Sequence, residues 1–456
     1  MNAMKTRLVI ALIYLAFVLC FATGLLAQTP AGSKASPSKT KAQAGISIPN
    51  LQTVLPEIEQ LYLDLHQNPE LSLQESNTSA KLADRMRKLG YEVTAGFGGT
   101  GVVAVLRNGQ GPTVLFRTDM DALPVAEETG LPYASRVRVK NASGAEIPVM
   151  HACGHDIHMS AWIGTATLMA QAKDRWRGTL VMVAQPAEEI VKGARAMLDA
   201  GLYTKFPKPD FALAIHDAAD LPVGTIGFTS GPALAGADTV DITIFGRGGH
   251  GAMPHTTVDP IVIAARTVLA IQTIVSREKD PREPGVITIG RITGGTKHNI
   301  VPDEVHLALS VRSFKPEVRK QLLTAIERVT RAEAEAGGSP KPPVFHYPET
   351  TTPTYNDPKL TARVVGALRS TLGEDRVLEK PPLMVSEDFA AYSRGGVPIF
   401  LFHVGAVEPS KYQQAMSTGA NLPSLHSSTF APEYKGTLRT AITAEFSALM
   451  ELLQPK

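Results

Sequence analysis

The stretch MHACGHDIHM, residues 150–159, places three histidines, one cysteine and one aspartate within eight residues. Cys153 and His155 lie two positions apart with Gly154 between them. In an extended segment the side chains at i and i+2 point the same way, so both could reach one ion. Apolar residues recur at helical spacing from His158 onward. The stretch therefore predicts a metal-binding loop at the N-terminus of a helix, with a polar loop bearing incidental histidines as the alternative.

Length and charge limit the classes of protein that fit. A chain of 456 residues predicts two or more domains. Its 45 basic and 43 acidic residues nearly balance, and no basic run with interleaved aromatic residues occurs, so we expect no nucleic-acid partner. The phosphate-binding pattern GxxxxGK[ST] is also absent from the sequence.

The N-terminus has the layout of a secretory signal. Lys5 and Arg7 precede an apolar run from 8 to 27, which predicts a signal peptide over residues 1–28 and a flexible tether over 29–49. We therefore expect an exported protein, periplasmic or secreted; an uncleaved membrane anchor is the alternative. Once the signal is removed, Cys153 is the single cysteine of an exported chain. A free thiol there suggests metal ligation, or else an inert buried thiol.

Polar side chains follow three apolar strand-like segments. Asp119 and Asp121 come at the end of the segment 113–118, Glu188 and Glu189 follow 179–185, and His216 follows 211–215. Ligand sites in open α/β sheets lie at the carboxyl ends of strands. Adjacent glutamates diverge, so one can bind metal while the other moves a proton. The alternatives are solvated acids, acids at the N-terminus of a helix over 191–200, and a structural histidine.

The spacing of apolar residues changes from Asp238 onward. Periodic segments then follow in the order β-α-β-β-α-β, which predicts a ferredoxin-like α+β domain inserted at 235–343. The flanking parts, 50–234 and 344–456, predict one α/β catalytic domain with three layers and a mostly parallel sheet. The insertion carries GRGGHGAMPH (246–255) and GGTKHN (294–299). Such glycine-rich loops can close over a ligand, although alone they are more often ordinary turns.

Seven motifs occur in a fixed order: RTDMDALP, MHACGHDIHM, QPAEE, GRGGHGAMPH, GGT followed closely by NIVPD, SEDF and LHSSTF. Together they resemble the metallo-amidohydrolases that include hippurate hydrolase, auxin-conjugate hydrolases and N-acyl-amino-acid amidohydrolases. Aminoacylase and glutamate carboxypeptidase are relatives of that family. The resemblance spans about residues 51–449.

The resemblance implies a site for two divalent ions, zinc or manganese, with cobalt or nickel as further options. By motif position the implied ligands are Cys153, His155, Glu189, His216 and His426. Glu188 is implied as the general base. Asp119 and Asp121 fall where relatives keep an orienting carboxylate. We expect Asp121 to belong to the catalytic residues and Asp119 to the substrate-binding residues.

The resemblance also assigns roles to the inserted domain, as a lid and as a homodimer interface. His250 is expected to donate to the developing oxyanion, in the partner subunit's site. Asn299 is expected to contact substrate, and Arg312 to bind a carboxylate. The implied substrate is an N-acyl amino acid or a small peptide-like amide. An exported dipeptidase or carboxypeptidase, and a non-catalytic binding protein, are the alternatives.

The sequence departs from the family pattern at three places, which puts the exact substrate in doubt. Ser427 replaces the asparagine usual after the last histidine. The stretch 217–220, DAAD, replaces a more apolar one after His216. Lys297 and His298 occupy positions where smaller residues are commoner.

Overall fold

A computed structural model describes residues 48–141 and 143–454. The expected signal peptide and nearly all of the expected tether lie outside these residues, so both stay predictions. The remaining chain forms an α/β domain interrupted by an α+β insertion, as the sequence predicts.

The catalytic domain consists of two separated parts of the chain. The first part contains α1 (Leu51–Gln67), α2 (Ser76–Lys88), β1 (Glu92–Ala95), β2 (Val102–Asn108), β3 (Thr113–Asp119), β4 (Arg138–Lys140), β5 (Glu146–Pro148), α3 (His155–Gln171), β6 (Gly178–Gln185), α4 (Gly193–Asp199), α5 (Leu202–Lys205), β7 (Phe211–Pro222), β8 (Ile226–Phe228) and β9 (Gly231–Leu234). The second part, numbered after the insertion, contains β16 (Thr354–Asn356), α8 (Pro358–Leu372), β17 (Val377–Glu379), β18 (Ile399–Val407), α9 (Pro409–Thr418) and α10 (Tyr434–Leu452).

An eight-stranded sheet, in the order β1-β2-β6-β3-β7-β18-β8-β17, forms the middle layer. Strands β6, β3, β7 and β18 pair in parallel. Helices cover both faces, so these strands are apolar over most of their length and become polar toward their carboxyl ends. In β6, Leu180 and Met182 pack on the side of α1, α3 and α10, whereas Val181 and Val183 pack on the side of α4. The three-layer prediction is therefore confirmed.

The insertion follows the predicted β-α-β-β-α-β order. Its elements are β10 (Gly236–Phe245), β11 (Gly249–His250), α6 (Pro260–Thr273), β12 (Gly285–Gly294), β13 (Ile300–Val301), β14 (Glu304–Ser313), α7 (Pro316–Ala336) and β15 (Val344–His346). Four of them pair in the order β12-β14-β10-β15. Along β10, Val240, Ile242 and Ile244 are buried against α6 and α7. Strand β15 lies just beyond the expected boundary at residue 343.

Two linkers join the insertion to the catalytic domain and run side by side. The backbone N–H of Thr239 donates to the carbonyl of Glu349 at 3.0 Å, and that of Thr351 to the carbonyl of Ala237 at 2.8 Å. The buried Asp238 carboxylate accepts two hydrogen bonds from Arg319, at 2.6 and 2.7 Å. The insertion is therefore connected through one double-stranded hinge.

Three local predictions were wrong at their boundaries. Helix α3 begins at His155, because Gly154 adopts a left-handed φ of 78° and turns the chain there, so Cys153 and His155 do not lie in an extended segment. Strand β7 continues past residue 215 to Pro222, because β18 pairs with it along that length. Helix α4 begins at Gly193 rather than 191, which leaves Glu188 and Glu189 on a loop and not at a helix N-terminus.

Candidate metal centre

The five implied metal ligands converge at the carboxyl ends of the sheet strands. Sγ of Cys153 lies 3.5 Å from Nε2 of His216 and 3.2 Å from Nε2 of His426. Carboxylate oxygens of Glu189 lie 3.5 Å from Nε2 of His426 and 3.9 Å from Nε2 of His155. Residues 273 positions apart in the chain therefore meet at one point.

These side chains form two ligand sets that share Cys153. In one set the ligand atoms of Cys153, His155 and His216 lie within 4.8 Å of one another. In the other set those of Cys153, Glu189 and His426 do the same. Thiolate, imidazole and carboxylate are ligands of divalent transition metals. The donor atoms present therefore fit a centre for two divalent ions.

Two buried atoms at this point have no hydrogen-bond partner among the described residues. They are Nε2 of His155 and Oε1 of Glu189. Buried polar atoms are nearly always paired in native structures. Unpaired imidazole and carboxylate atoms that face one another fit a bound cation.

Hydrogen bonds orient two of the implied ligand rings. Nδ1 of His155 donates to the backbone carbonyl of Asp121 at 2.8 Å, and Nδ1 of His216 donates to the carbonyl of Asp217 at 2.8 Å. Each bond leaves Nε2 as the nitrogen that faces the centre. Such outer partners fix the tautomer and the ring orientation of metal-binding histidines.

The carboxylate of Asp121 holds the loop that carries the two glutamates. Its oxygens accept hydrogen bonds from the backbone N–H of Glu188 at 3.1 Å and of Glu189 at 3.0 Å. Ser72 donates to the same carboxylate at 2.6 Å. Asp121 thus acts on the position of Glu188 and Glu189, as expected of an orienting carboxylate.

Asp119 lies beneath the centre and is fully buried. It accepts hydrogen bonds from Arg117 at 2.6 Å and from Nδ1 of His158 at 2.7 Å. Burial opposes its ionisation, but the nearby charges of His155, His158 and Arg117 outweigh this and lower its pKa. The structure does not bring Asp119 to the surface of the cleft, so it is placed to orient other side chains and not to touch substrate.

Glu188 is 7% exposed and lines the cleft above the ligands. Burial raises its pKa well above the ordinary value, and the carboxylates of Glu387 and Glu189 raise it further. Its Oε2 lies 4.0 Å from Nε2 of His155. A carboxyl group with a raised pKa beside a metal centre is suited to taking up and returning a proton.

The sequence of this chain matches that of a known family of hydrolases. The profile of Peptidase family M20/M25/M40 matches residues 115–418. N-acetyl-L-cysteine deacetylase from Bacillus subtilis is 35% identical over 75% of this chain and 79% of its own length. The chain belongs to this family.

Two further relatives match over similar lengths. Thermostable carboxypeptidase 2 from Saccharolobus solfataricus is 36% identical over 78% of this chain and 88% of its own. A dinuclear metal-binding M20 peptidase of Bacillus subtilis superposes with a TM-score of 0.69 at 29% identity, covering 87% of this chain and 98% of that one. Like its family, this M20 protein is a metal-dependent hydrolase.

A cleft of about 910 Å³ separates the centre of the M20 protein from its insertion. Thr239, Ser310 and Arg312 line it from the exposed face of the inserted sheet. Nη1 of Arg312 donates to the carbonyl of Met384 at 3.0 Å. Arg312 therefore contributes a cation to the wall of the cleft.

His250 and Asn299 lie together but outside the cleft of their own subunit. The backbone N–H of Gly251 donates to the carbonyl of Asn299 at 2.9 Å, and both predicted site residues are exposed. Nδ1 of His250 accepts the backbone N–H of Ala252 at 3.0 Å. The predicted contact of either residue with substrate is not made within one chain.

Sequence reasoning missed Arg117 and His158 as parts of the site. Arg117 is fully buried and pairs with Asp119, Glu387 and Asp388. An arginine inside the apolar run VLFRTD was the available signal, because a buried charge requires partners. His158 was visible in the opening stretch, but only the fold shows that it contacts Asp119 and Asp217.

Proposed function

We propose that this M20 hydrolase cleaves the amide bond of N-acyl amino acids with two divalent ions. The observation that carries the proposal is the position of Glu188, which faces the cleft beside two ligand sets that share Cys153. The N-acetyl-L-cysteine deacetylase from Bacillus subtilis, which is 35% identical, supports this class of substrate.

The ligand sets identify the side chains that would hold the ions. Cys153, His155 and His216 form one set, and Cys153, Glu189 and His426 form the other. Cysteine and histidine ligands favour zinc, with manganese as the second choice. When bound, such ions lower the pKa of water and polarise the amide carbonyl.

Glu188 then supplies the proton transfers. Its carboxylate takes a proton from the attacking water and returns it to the nitrogen of the leaving amine. Asp121 holds the backbone of Glu188 in place for both steps.

The cleft offers a cation and an apolar wall to the two ends of such a substrate. The guanidinium of Arg312 can pair with the carboxylate of the amino acid. Leu234, Leu383, Val385 and Leu425 line the same cleft and suit an apolar group of the substrate. This orientation would place the amide between them, above Glu188.

We further propose that two subunits pair through the insertion. Large apolar side chains are exposed on α6 and β12, including Leu269 at 72% and Val262 at 55% on α6 and Ile292 at 53% on β12. The helical segment Pro260–Glu278 is also the one part of the described residues that is long and apolar enough to cross a membrane. An apolar face of this kind marks an interaction surface. In such a dimer His250 and Asn299 would reach the partner's cleft.

A second candidate function is that of a carboxypeptidase or dipeptidase, as the 36% identical relative named thermostable carboxypeptidase 2 suggests. Peptides carry the same terminal carboxylate for Arg312. A panel of N-acetyl amino acids and matched dipeptides, offered to the zinc- and manganese-loaded enzyme, separates the two. We expect higher kcat/KM for the N-acyl compounds; faster dipeptide hydrolysis would favour the peptidase, and no hydrolysis of either class would favour a binding protein.

We also propose that the protein is exported, from the signal layout of residues 1–28. N-terminal sequencing of the mature protein should find a start near Gln28. An intact Met1 in a membrane fraction would favour the anchor instead.

A further inference from the structure

Asp217 carries a buried carboxylate directly beside a proposed metal ligand. It follows His216 on β7, and its side chain is fully buried. Its Oδ2 has no hydrogen-bond partner among the described residues. Burying a charged group is costly unless other groups compensate for it. The position therefore calls for an explanation.

The other oxygen of Asp217 lies between two histidines. Oδ1 is 3.3 Å from Nε2 of His158 and 3.3 Å from Nδ1 of His216. The backbone N–H of Asp217 is 2.9 Å from the same nitrogen of His158. On its far side His158 contacts Asp119, which pairs with Arg117. A chain of ionisable side chains thus runs beneath the centre from Arg117 to His216.

Gly154 closes the third side of this carboxylate. A Cβ atom at position 154 would lie 2.1 Å from Oδ2 of Asp217, far inside contact distance. The carboxylate is thus packed against the backbone between Cys153 and His155. It cannot rotate toward that loop, and it stays beside the ring of His216.

The two metal-binding histidines on the sheet side have matching surroundings. Nδ1 of His155 donates to the carbonyl of Asp121, whose carboxylate lies 3.6 Å away. Nδ1 of His216 donates to the carbonyl of Asp217, whose carboxylate lies 3.3 Å away. Each ring is therefore held by the backbone and the side chain of one aspartate.

We propose that Asp217 is a positioning residue that fixes the ring of His216 for the ion held with Cys153 and His155. The proposal rests on the proposed metal centre and goes beyond it, because it assigns this role to one buried side chain. A carboxylate close to Nδ1 restrains the ring and increases the basicity of the ligating Nε2.

The test is a metal titration of the chelated enzyme, using zinc with a chromophoric competitor and no substrate. Asp217→Asn keeps the size of the side chain and removes its charge. We expect it to weaken one of two binding steps by about 10- to 100-fold, the usual effect of losing an outer partner of a ligand. Asp220→Asn is the matched control on the same strand, because its carboxylate pairs with Lys380 at the surface at 2.6 Å. We expect the control to bind zinc as the wild type does.

A second variant, His426→Ala, shows which of the two zinc-binding steps depends on Asp217. His426→Ala leaves only the set of Cys153, His155 and His216 complete, so the remaining step reports on His216. Adding Asp217→Asn to this variant should weaken that step, and an unchanged affinity would overturn the proposal.

A purely structural role would give another result. It would weaken both steps equally and lower the unfolding temperature of the chelated form, which would also overturn the proposal. If Asp217→Asn does not fold, Asp217→Ser provides the same comparison with a smaller side chain. Because no substrate is present, the outcome is separable from the proposed function: a wild type that binds two ions without hydrolysing N-acyl amino acids would reject only that function.

Discussion

Sγ of Cys153 lies 3.2 Å from Nε2 of His426, at the point where the two proposed ligand sets meet. Burial raises the pKa of this thiol well above its ordinary value, and the carboxylates of Glu189 and Glu188 raise it further. The thiol therefore needs a cation to lose its proton. Metal binding should accordingly release a proton and strengthen as the pH rises.

The position of Cys153 in both ligand sets predicts how each ligand variant changes the binding of the two ions. Cys153→Ser should weaken the binding of both ions, because a hydroxyl is a poorer ligand than a thiolate. His426→Ala should weaken the binding of only one ion. Metal content and zinc affinity of the purified variants measure both effects. Wild-type metal content in Cys153→Ser would make Cys153 an inert buried thiol.

The two adjacent glutamates should separate metal binding from turnover. Glu188→Gln should keep both ions and lose at least about 100-fold in kcat, because general acid–base catalysis contributes roughly that much or more. Glu189→Gln, its neighbour, should lose metal as well. Turnover and metal content of the two variants are the measurement. A wild-type rate in Glu188→Gln would remove it as the base.

The insertion predicts complementation between subunits. His250 is exposed on its own chain, so His250→Ala should lower kcat far more than metal content if it serves the partner's site. Mixing this variant with Glu188→Gln should restore activity that neither parent has, because a mixed dimer contains one intact site. Sedimentation of the wild type should show a dimer. Inactive mixtures of proven mixed dimers would confine His250 to its own subunit, and a fully active His250→Ala enzyme would end the donor role.

The stability of the protein should also depend on Glu445, which is fully buried in α10 and whose carboxyl oxygens lack hydrogen-bond partners among the described residues. Burial raises its pKa to about 8. In the unfolded chain this carboxyl ionises near pH 4.3, about the reference value for glutamate. Between these values the unfolded state loses the proton and the folded state keeps it, so stability falls as the pH rises.

Glu445→Gln removes this titration. The variant should gain stability relative to the wild type as the pH increases from about 4.3 to about 8, reaching a few kcal/mol, since one pKa unit corresponds to about 1.4 kcal/mol. Urea unfolding at several pH values measures the difference. A stability difference that does not change with pH would show that Glu445 keeps the same charge in both states.

The ligand set was implied by the resemblance, because Cys153, His155, Glu189 and His426 stand in its motifs and His216 ends a strand-like segment between them. The structure brings all five side chains together. The place of Arg312 in the cleft followed from the same resemblance. The order of the elements in the insertion was readable because apolar spacing alone determines it, as in the alternating residues of β10.

Other features depend on contacts between distant parts of the chain. The length of β7 is set by pairing with β18, where His216 lies opposite His403. The turn at Gly154 packs against the carboxylate of Asp217. The neighbouring residues Cys153 and His216, which also meet there, are 63 positions apart in the chain. The role of Asp119 beneath the centre depends on Arg117 and His158 together. No local pattern contains these relations.

The double-stranded hinge has a consequence for how such enzymes diversify. All five proposed ligands, and Glu188, belong to the catalytic domain, whereas Thr239, Ser310 and Arg312 come from the insertion. Substitutions that accumulate between the two linkers can therefore reshape one wall of the cleft while the ions stay where they are. Exchange of residues 236–350 between relatives would transfer that wall as a unit, together with His250 and Asn299, so part of the substrate preference can evolve as a module while the proposed ligands stay in place.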